Sequence, residues 1–83
     1  MEIIRTAQKQ ILALPGAAQM EIALSIDSLV SDPRPAGCKK LRGTGLWRLR
    51  IGQYRAIYAI DDKAHLATVL KVAVRREDTY QGL

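Results

Sequence analysis

Leu46-Trp47-Arg48-Leu49-Arg50-Ile51-Gly52-Gln53-Tyr54-Arg55-Ala56-Ile57-Tyr58-Ala59-Ile60 is the stretch that decides the fold. Its period is two: Trp47, Leu49 and Ile51 alternate with Arg48 and Arg50, and Gly52-Gln53 supplies a tight connection. Tyr54, Ala56, Tyr58 and Ile60 then alternate with Arg55, Ile57 and Ala59. The stretch is predicted to form a β-hairpin. Because successive strand residues point to opposite faces, Arg48 and Arg50 share the face opposite Trp47, Leu49 and Ile51. Arg55 opens the second strand, where it can point across the hairpin end toward that cationic face.

Downstream, Asp61 to His65 make a turn, and Leu66, Thr68, Leu70, Val72 and Val74 alternate with Ala67, Val69, Lys71, Ala73 and Arg75 in a third strand. With Leu70, Val72 and Val74 in the core, Lys71 and Arg75 join Arg48 and Arg50 on the outer face. Upstream the period is helical. Ile4, Ala7, Ile11 and Leu12 form one apolar stripe that Pro15-Gly16 interrupts, and Met20, Ile22, Ala23, Leu24, Ile26, Leu29 and Val30 form a broader one that ends at Ser31 to Pro35. Met1 to Ile4 is read as a short edge strand. The expected class is α+β: an N-terminal αα-hairpin packed on one face of a small antiparallel β-sheet, in a single domain over residues 1–83.

Composition narrows the functions. Cys38 is the one cysteine and His65 the one histidine, so neither an internal disulfide nor a histidine–cysteine zinc site is available. No signal segment and no membrane span are recognisable, and the chain is expected to be soluble and cytoplasmic, with no cofactor. The net charge of +5 is unevenly placed: residues 1–32 carry −2, residues 61–83 carry 0, and residues 33–60 carry +7 from Arg34, Lys39, Lys40, Arg42, Arg48, Arg50 and Arg55 without one acid. Outward strand positions often hold Arg or Lys merely for solubility. Solubility, however, favours mixed signs, and a local excess is the footprint of a phosphate-binding surface.

The same residues limit the chemistry. The outer face offers no histidine, carboxylate pair or metal set, which argues against a carboxylate- or zinc-based hydrolase. Clustered arginines hold a phosphodiester and stabilise the charge that builds on it in the transition state. RNA brings its own nucleophile, the 2′-hydroxyl, and Tyr80 is the nearby ionisable hydroxyl that can assist proton transfer or stacking.

Leu41-Arg42-Gly43, the run Leu46 to Tyr58, and Val69-Leu70-Lys71-Val72-Ala73-Val74-Arg75-Arg76-Glu77 together resemble the RelE/ParE toxin superfamily over about half the chain. The resemblance implies a toxin of a type II toxin–antitoxin pair. In its RelE-type branch such a toxin is an mRNA interferase, a metal-free endoribonuclease that cuts mRNA in the ribosomal A site and so inhibits translation. Carried over by position, Arg55, Arg75 and Tyr80 are the implied catalytic residues, and Lys39, Lys40, Arg42, Arg48, Arg50, Lys71 and Arg76 the RNA- or phosphate-binding ones. The implied partners are a cognate antitoxin, small and acidic-tailed, together with A-site mRNA and ribosomal RNA.

Three departures bear on activity. Arg48 and Arg50 stand where the best-known members have lysines, and arginine stays charged at any working pH, which keeps phosphate binding and weakens an acid–base role. Ala73 and Val74 replace a glycine and a histidine, removing a candidate catalytic group. The N-terminal strand is shortened almost to nothing. The rival readings are a ParE-type inhibitor of DNA gyrase, which needs no catalytic cup, and a noncatalytic RNA- or ribosome-binding module.

Overall fold

The computed structural model of the chain describes residues 2–74. In chain order the elements are β1 (Glu2–Ile3), α1 (Arg5–Leu12), α2 (Gly16–Ser31), β2 (Cys38–Leu41), β3 (Leu46–Ile51), β4 (Tyr54–Asp61) and β5 (Leu66–Val74). The strands form one sheet in the order β1-β5-β4-β3-β2. It is antiparallel except at one edge, where the two residues of β1 run parallel to β5 through Glu2↔Thr68 and Ile3↔Val69. The N-terminal strand is therefore short but present.

Pro15 separates the two helices, and the Gln19 side chain secures the corner by donating to the carbonyls of Leu14 (2.8 Å) and Leu12 (3.2 Å). Both helices lie on one face of the sheet. Ala7, Ala18, Ile22, Ile26 and Leu29 pack there against Leu49, Ile51, Tyr54, Ala56, Tyr58, Ala67, Val69 and Val72. Helix α2 is apolar around more of its circumference than a flat sheet can cover, so Met20, Leu24 and Val30, which the sequence places in its core stripe, stand exposed, as does Leu12 of α1.

Two differences from the sequence reading matter for the site. The first is in β5, where strict alternation would bury Leu66, Thr68 and Leu70. The register slips between Ile57 and Tyr58, which pair with Lys71 and Val69 respectively, leaving Leu70 as an extra residue. This bulge reverses the parity of β5, so Ala67 and Val69 are buried on one side of it and Val72 on the other, while Leu70 is half-buried and Val74 is exposed. The second is β2 itself. Cys38-Lys39-Lys40-Leu41 has two lysines at its centre and no alternation to announce a strand.

The turn at Gly52 favours glycine through its backbone, whose φ is +57°, while the nearest atoms to a Cβ there belong to the exposed end of Glu21, which can move aside. At the opposite edge, the parallel pairing ends when the Ile4 N–H donates to the Val69 carbonyl (3.1 Å). The next orphan donor of β5, the Val72 N–H, is taken by the Gln10 side-chain oxygen of α1 at 2.8 Å. Replacing Gln10 with Ala leaves that part-buried donor without its acceptor, and urea denaturation should show a loss of about 1–2 kcal/mol with an unchanged m-value.

Candidate functional site

Register turns the cationic alternation into a surface. On the sheet face away from the helices, Lys39 of β2 is paired with Arg48 of β3, Arg48 with Ile57 of β4, and Ile57 with Lys71 of β5. The neighbouring row pairs Arg50 with Arg55 and Arg55 with Ala73. The rows are two residues apart along the strands, roughly 6–7 Å. The face therefore carries two lines of positive charge floored by Ile57 and Ala73, and it is the bulge in β5 that turns Lys71 and Ala73 toward them. Ile57, which the sequence reading did not single out, becomes part of the site through register alone.

The members of this surface differ in exposure. Arg50, Lys39 and Lys71 are open to solvent, Arg48 is half-buried, and Arg55 is only 3% exposed. Arg48 and Arg55 each engage other groups of the protein. Arg55 does lie on the expected face, opposite Arg50 at the hairpin end, but it is built into the surface rather than laid on it. A buried guanidinium has lost its hydration before any ligand arrives, which is what makes preorganised donors effective.

Other expected cations fall elsewhere. Lys40 pairs with Trp47 and so lies on the helix side of β2, opposite to Lys39. Arg42 is exposed in the β2–β3 turn. Arg34 leaves the cluster altogether, because its guanidinium donates to both carboxylate oxygens of Asp62 (3.1 and 2.9 Å) while lying 5.1 Å from the centroid of the Trp47 ring. Asp62 is just past the acid-free segment, and nothing in the sequence pairs it with Arg34. Arg75, Arg76 and Tyr80 lie outside the described residues.

Acids sit at the far end of the same face. Glu2 is paired with Thr68, and Asp61 closes β4 opposite Leu66, with one carboxylate oxygen accepting from the N–H groups of Lys63 and Ala64 (3.1 Å each). The face is thus polarised along the strands, positive toward the β3–β4 turn. A cavity of about 110 Å³ between the end of α2 and the β4–β5 turn, lined in part by Leu29, Ile60, Leu66 and His65, includes none of the candidate residues. Among the described residues no three of His, Cys, Asp and Glu gather as a metal site would require. Tyr58, the largest fully buried side chain, donates its hydroxyl to the Pro33 carbonyl at 2.8 Å, and burial followed by its hydrogen bond with Cys38 raises its pKa. That phenol stays protonated at neutral pH and serves as a tie between β4 and the segment after α2. No described helix is long and apolar enough to cross a membrane.

Comparison with known proteins bears on this geometry. The sequence model of one family, described as the ParE toxin of type II toxin–antitoxin system, parDE, matches residues 2–79. No curated protein sequence matches the chain. Among solved structures, the archaeal RelE–RelB complex from Pyrococcus horikoshii OT3 contains a chain 32% identical, with a TM-score of 0.82, covering 92% of this chain and 93% of that one. The toxin–antitoxin complex RelBE2 from Mycobacterium tuberculosis gives 27% identity and a TM-score of 0.78 over 89% of this chain and 94% of that one. The isolated Escherichia coli RelE toxin shares the fold at 20% identity, with a TM-score of 0.76 over 98% of this chain and 89% of that one.

Two measurements test the surface. Arg50→Gln and Lys71→Gln should each flatten the slope of log affinity against log salt for single-stranded RNA by about 0.7, with Lys9→Gln on α1 leaving it unchanged. Asp62 should titrate below the ordinary carboxylate range, first through its hydrogen bond with Arg34 and then through its charge, and return to that range in Arg34→Ala. Because the folded-state pKa is the lower one, the contribution of this pair is present above the unfolded carboxylate value. It fades as pH falls through the folded one, and NMR titration of both proteins would follow it.

Proposed function

The chain belongs to the family of ParE toxins of type II toxin–antitoxin systems, within the RelE/ParE superfamily, and we propose that it cleaves mRNA on the ribosome as a metal-free endoribonuclease, inhibiting translation. The observation that carries this reading is the pair of cationic rows on one sheet face, Lys39–Arg48–Lys71 beside Arg50–Arg55. A single strand of RNA laid across them would place successive phosphates against separate guanidinium groups, which bind phosphate bidentately.

In this mechanism Arg50, Lys39 and Lys71 hold the backbone on either side of the scissile phosphate, with Arg48 between them. Arg55, dehydrated and fixed, faces the non-bridging oxygens, whose negative charge grows as the 2′-oxygen bonds to phosphorus and the 5′-oxygen leaves. The products are a 2′,3′-cyclic phosphate and a 5′-hydroxyl, so the 2′-hydroxyl proton must be removed and the 5′-oxygen must gain one. Arginine does not perform the first transfer, since it holds its proton at any working pH. Arg75 and Tyr80 are assigned the remaining charge stabilisation and proton transfer, with Arg76 assisting RNA binding. The protein's other partners in this reading are the cognate antitoxin and the ribosomal RNA around the A site, and cutting mRNA on ribosomes would keep it in the cytoplasm.

A second reading is gyrase inhibition, and the family's description as ParE favours it. Inducing the chain without antitoxin, then mapping mRNA 5′ ends and gyrase-dependent DNA breaks, separates the two. Codon-phased mRNA ends that fall roughly 10²–10³-fold in Arg75→Ala are expected. DNA breaks with intact mRNA would replace the proposal with the gyrase reading. Arg50→Gln should weaken cutting without lowering the melting temperature, since it relieves the Arg50–Arg55 like-charge pairing. Arg55→Ala is a less clean probe than its sequence position suggests: removing a buried cation should lower the melting temperature as well as the rate, whereas Arg55→Lys separates charge from fork geometry.

A further inference from the structure

The outer sheet face holds an apolar band beside its cations. One step along the strands from the row Lys39–Arg48–Ile57–Lys71, toward the β2–β3 turn, stand Leu41 and Leu46, paired with each other, and Ala59, paired with Thr68. All four are half-buried and none is charged. Strand alternation puts Leu41, Leu46 and Ala59 on the same face as Lys39, Arg48 and Ile57, two residues away in each case. The turn fixes the two leucines, because the Thr44 hydroxyl donates to the Leu41 carbonyl (2.9 Å) and accepts from the Leu46 N–H (3.1 Å). Arg42, exposed in that turn, adds a cation just beyond them. We propose that this apolar row seats the bases of a single-stranded nucleic acid whose phosphates lie along the neighbouring cationic row. The inference deepens the proposed function, resting on RNA binding and not on cleavage.

Charge and shape select this occupant. Cations line one side of the apolar row and Arg42 its end, while the acids Glu2 and Asp61 stand at the β1 edge and in the row beyond. The complementary ligand carries repeated negative charge with apolar groups to one side of it. A second copy laid face to face would oppose cations to cations. The leucines form a shallow strip overlooked by the long exposed side chains of Lys39 and Lys71. Such a strip covers a flat ring, and it offers neither a pocket for a protruding side chain nor the protruding apolar anchors that hold a protein on a lipid surface. Sheets that bind nucleic acid often stack bases on aromatic rings. Among the described residues no ring is placed to do so here, since Arg34 lies over Trp47 and both Tyr54 and Tyr58 are buried.

Aliphatic contact has a consequence for selectivity. Methyl groups cover the face of a base without hydrogen-bonding to its edge, so Leu41, Leu46 and Ala59 distinguish bases by area alone, and within the row the Thr68 hydroxyl is the group able to reach an edge. The row therefore supplies affinity that is insensitive to salt, beside cations whose contribution falls with it, and it favours purines over pyrimidines.

A 2′-O-methyl oligoadenylate lacks the attacking hydroxyl, so it reports binding to the full-length chain without cleavage, and an abasic oligomer of equal length keeps the phosphates while removing the bases. At equal salt the intact oligomer should bind about tenfold more tightly than the abasic one, with 2′-O-methyl oligouridylate between them. Leu41→Ser combined with Leu46→Ser should close most of that gap and leave the salt slope unchanged, whereas Arg50→Gln should flatten the slope and keep the gap. NMR reads the placement on the wild-type chain, whatever the stability of the double variant: the amides of Leu41, Leu46 and Ala59 should shift with the intact oligomer and not with the abasic one. Equal affinity for the two oligomers, a gap that the folded double variant retains, or amide shifts confined to other surfaces would overturn the proposal. Binding to neither oligomer would overturn it together with the RNA reading, and intact mRNA in cells with the gap preserved would count against cleavage alone.

Discussion

A single extra residue in β5 governs how this molecule divides its two faces. With unbroken alternation, β5 could point Ala67 and Val69 into the core or turn Lys71 and Ala73 outward, but not both. The slip at Leu70 allows both. Val69 then becomes one of the largest fully buried side chains beneath the helices, and Lys71 takes its place in a row with Arg48 and Lys39. Core and cationic face are thus joined by one local departure from regularity, and bulges are common beside functional sites for this reason.

The remaining positioning follows from that division. Helices occupy one side of the sheet, which leaves the other for charge, and the tight Gly52 turn sets a β3–β4 register in which Arg50 and Arg55 are directly opposed. Opposed like charges cost stability, so this pairing is a local expense of the cationic face. The helices themselves carry more apolar surface than the sheet covers, and the surplus on Met20, Leu24 and Val30 faces water.

Much of this was legible in the sequence, and the parts that were not share a physical character. The β3–β4 hairpin reads clearly because one face is apolar and the other charged, so period and burial agree. The helical pair reads from Pro15 and from the prolines after Ser31. The bulge leaves no trace, since Val69-Leu70 are both apolar and either phase of β5 satisfies a hydrophobicity pattern. β2 is hidden by Lys39-Lys40, and Arg34 looks like one more member of the basic cluster until the fold brings Asp62 to it across 28 residues of chain. The burial of Arg55 is likewise tertiary: its strand position gives its face, not its depth. Long-range pairing and register are the common element in these cases, and neither is encoded in any short window.

The bond between Gln10 and Val72 joins residues 62 positions apart, and β5 is flanked by β1 on one side and β4 on the other. Synthesis proceeds from the N-terminus, so α1 and β1 must wait for the last described strand before their side of the sheet exists. Non-local closure of this kind is slow relative to helix formation. Until β5 is made, the row through Arg48 and Ile57 lacks Lys71. The order of assembly delays the complete cationic face until β5 has been made and can reach its neighbours.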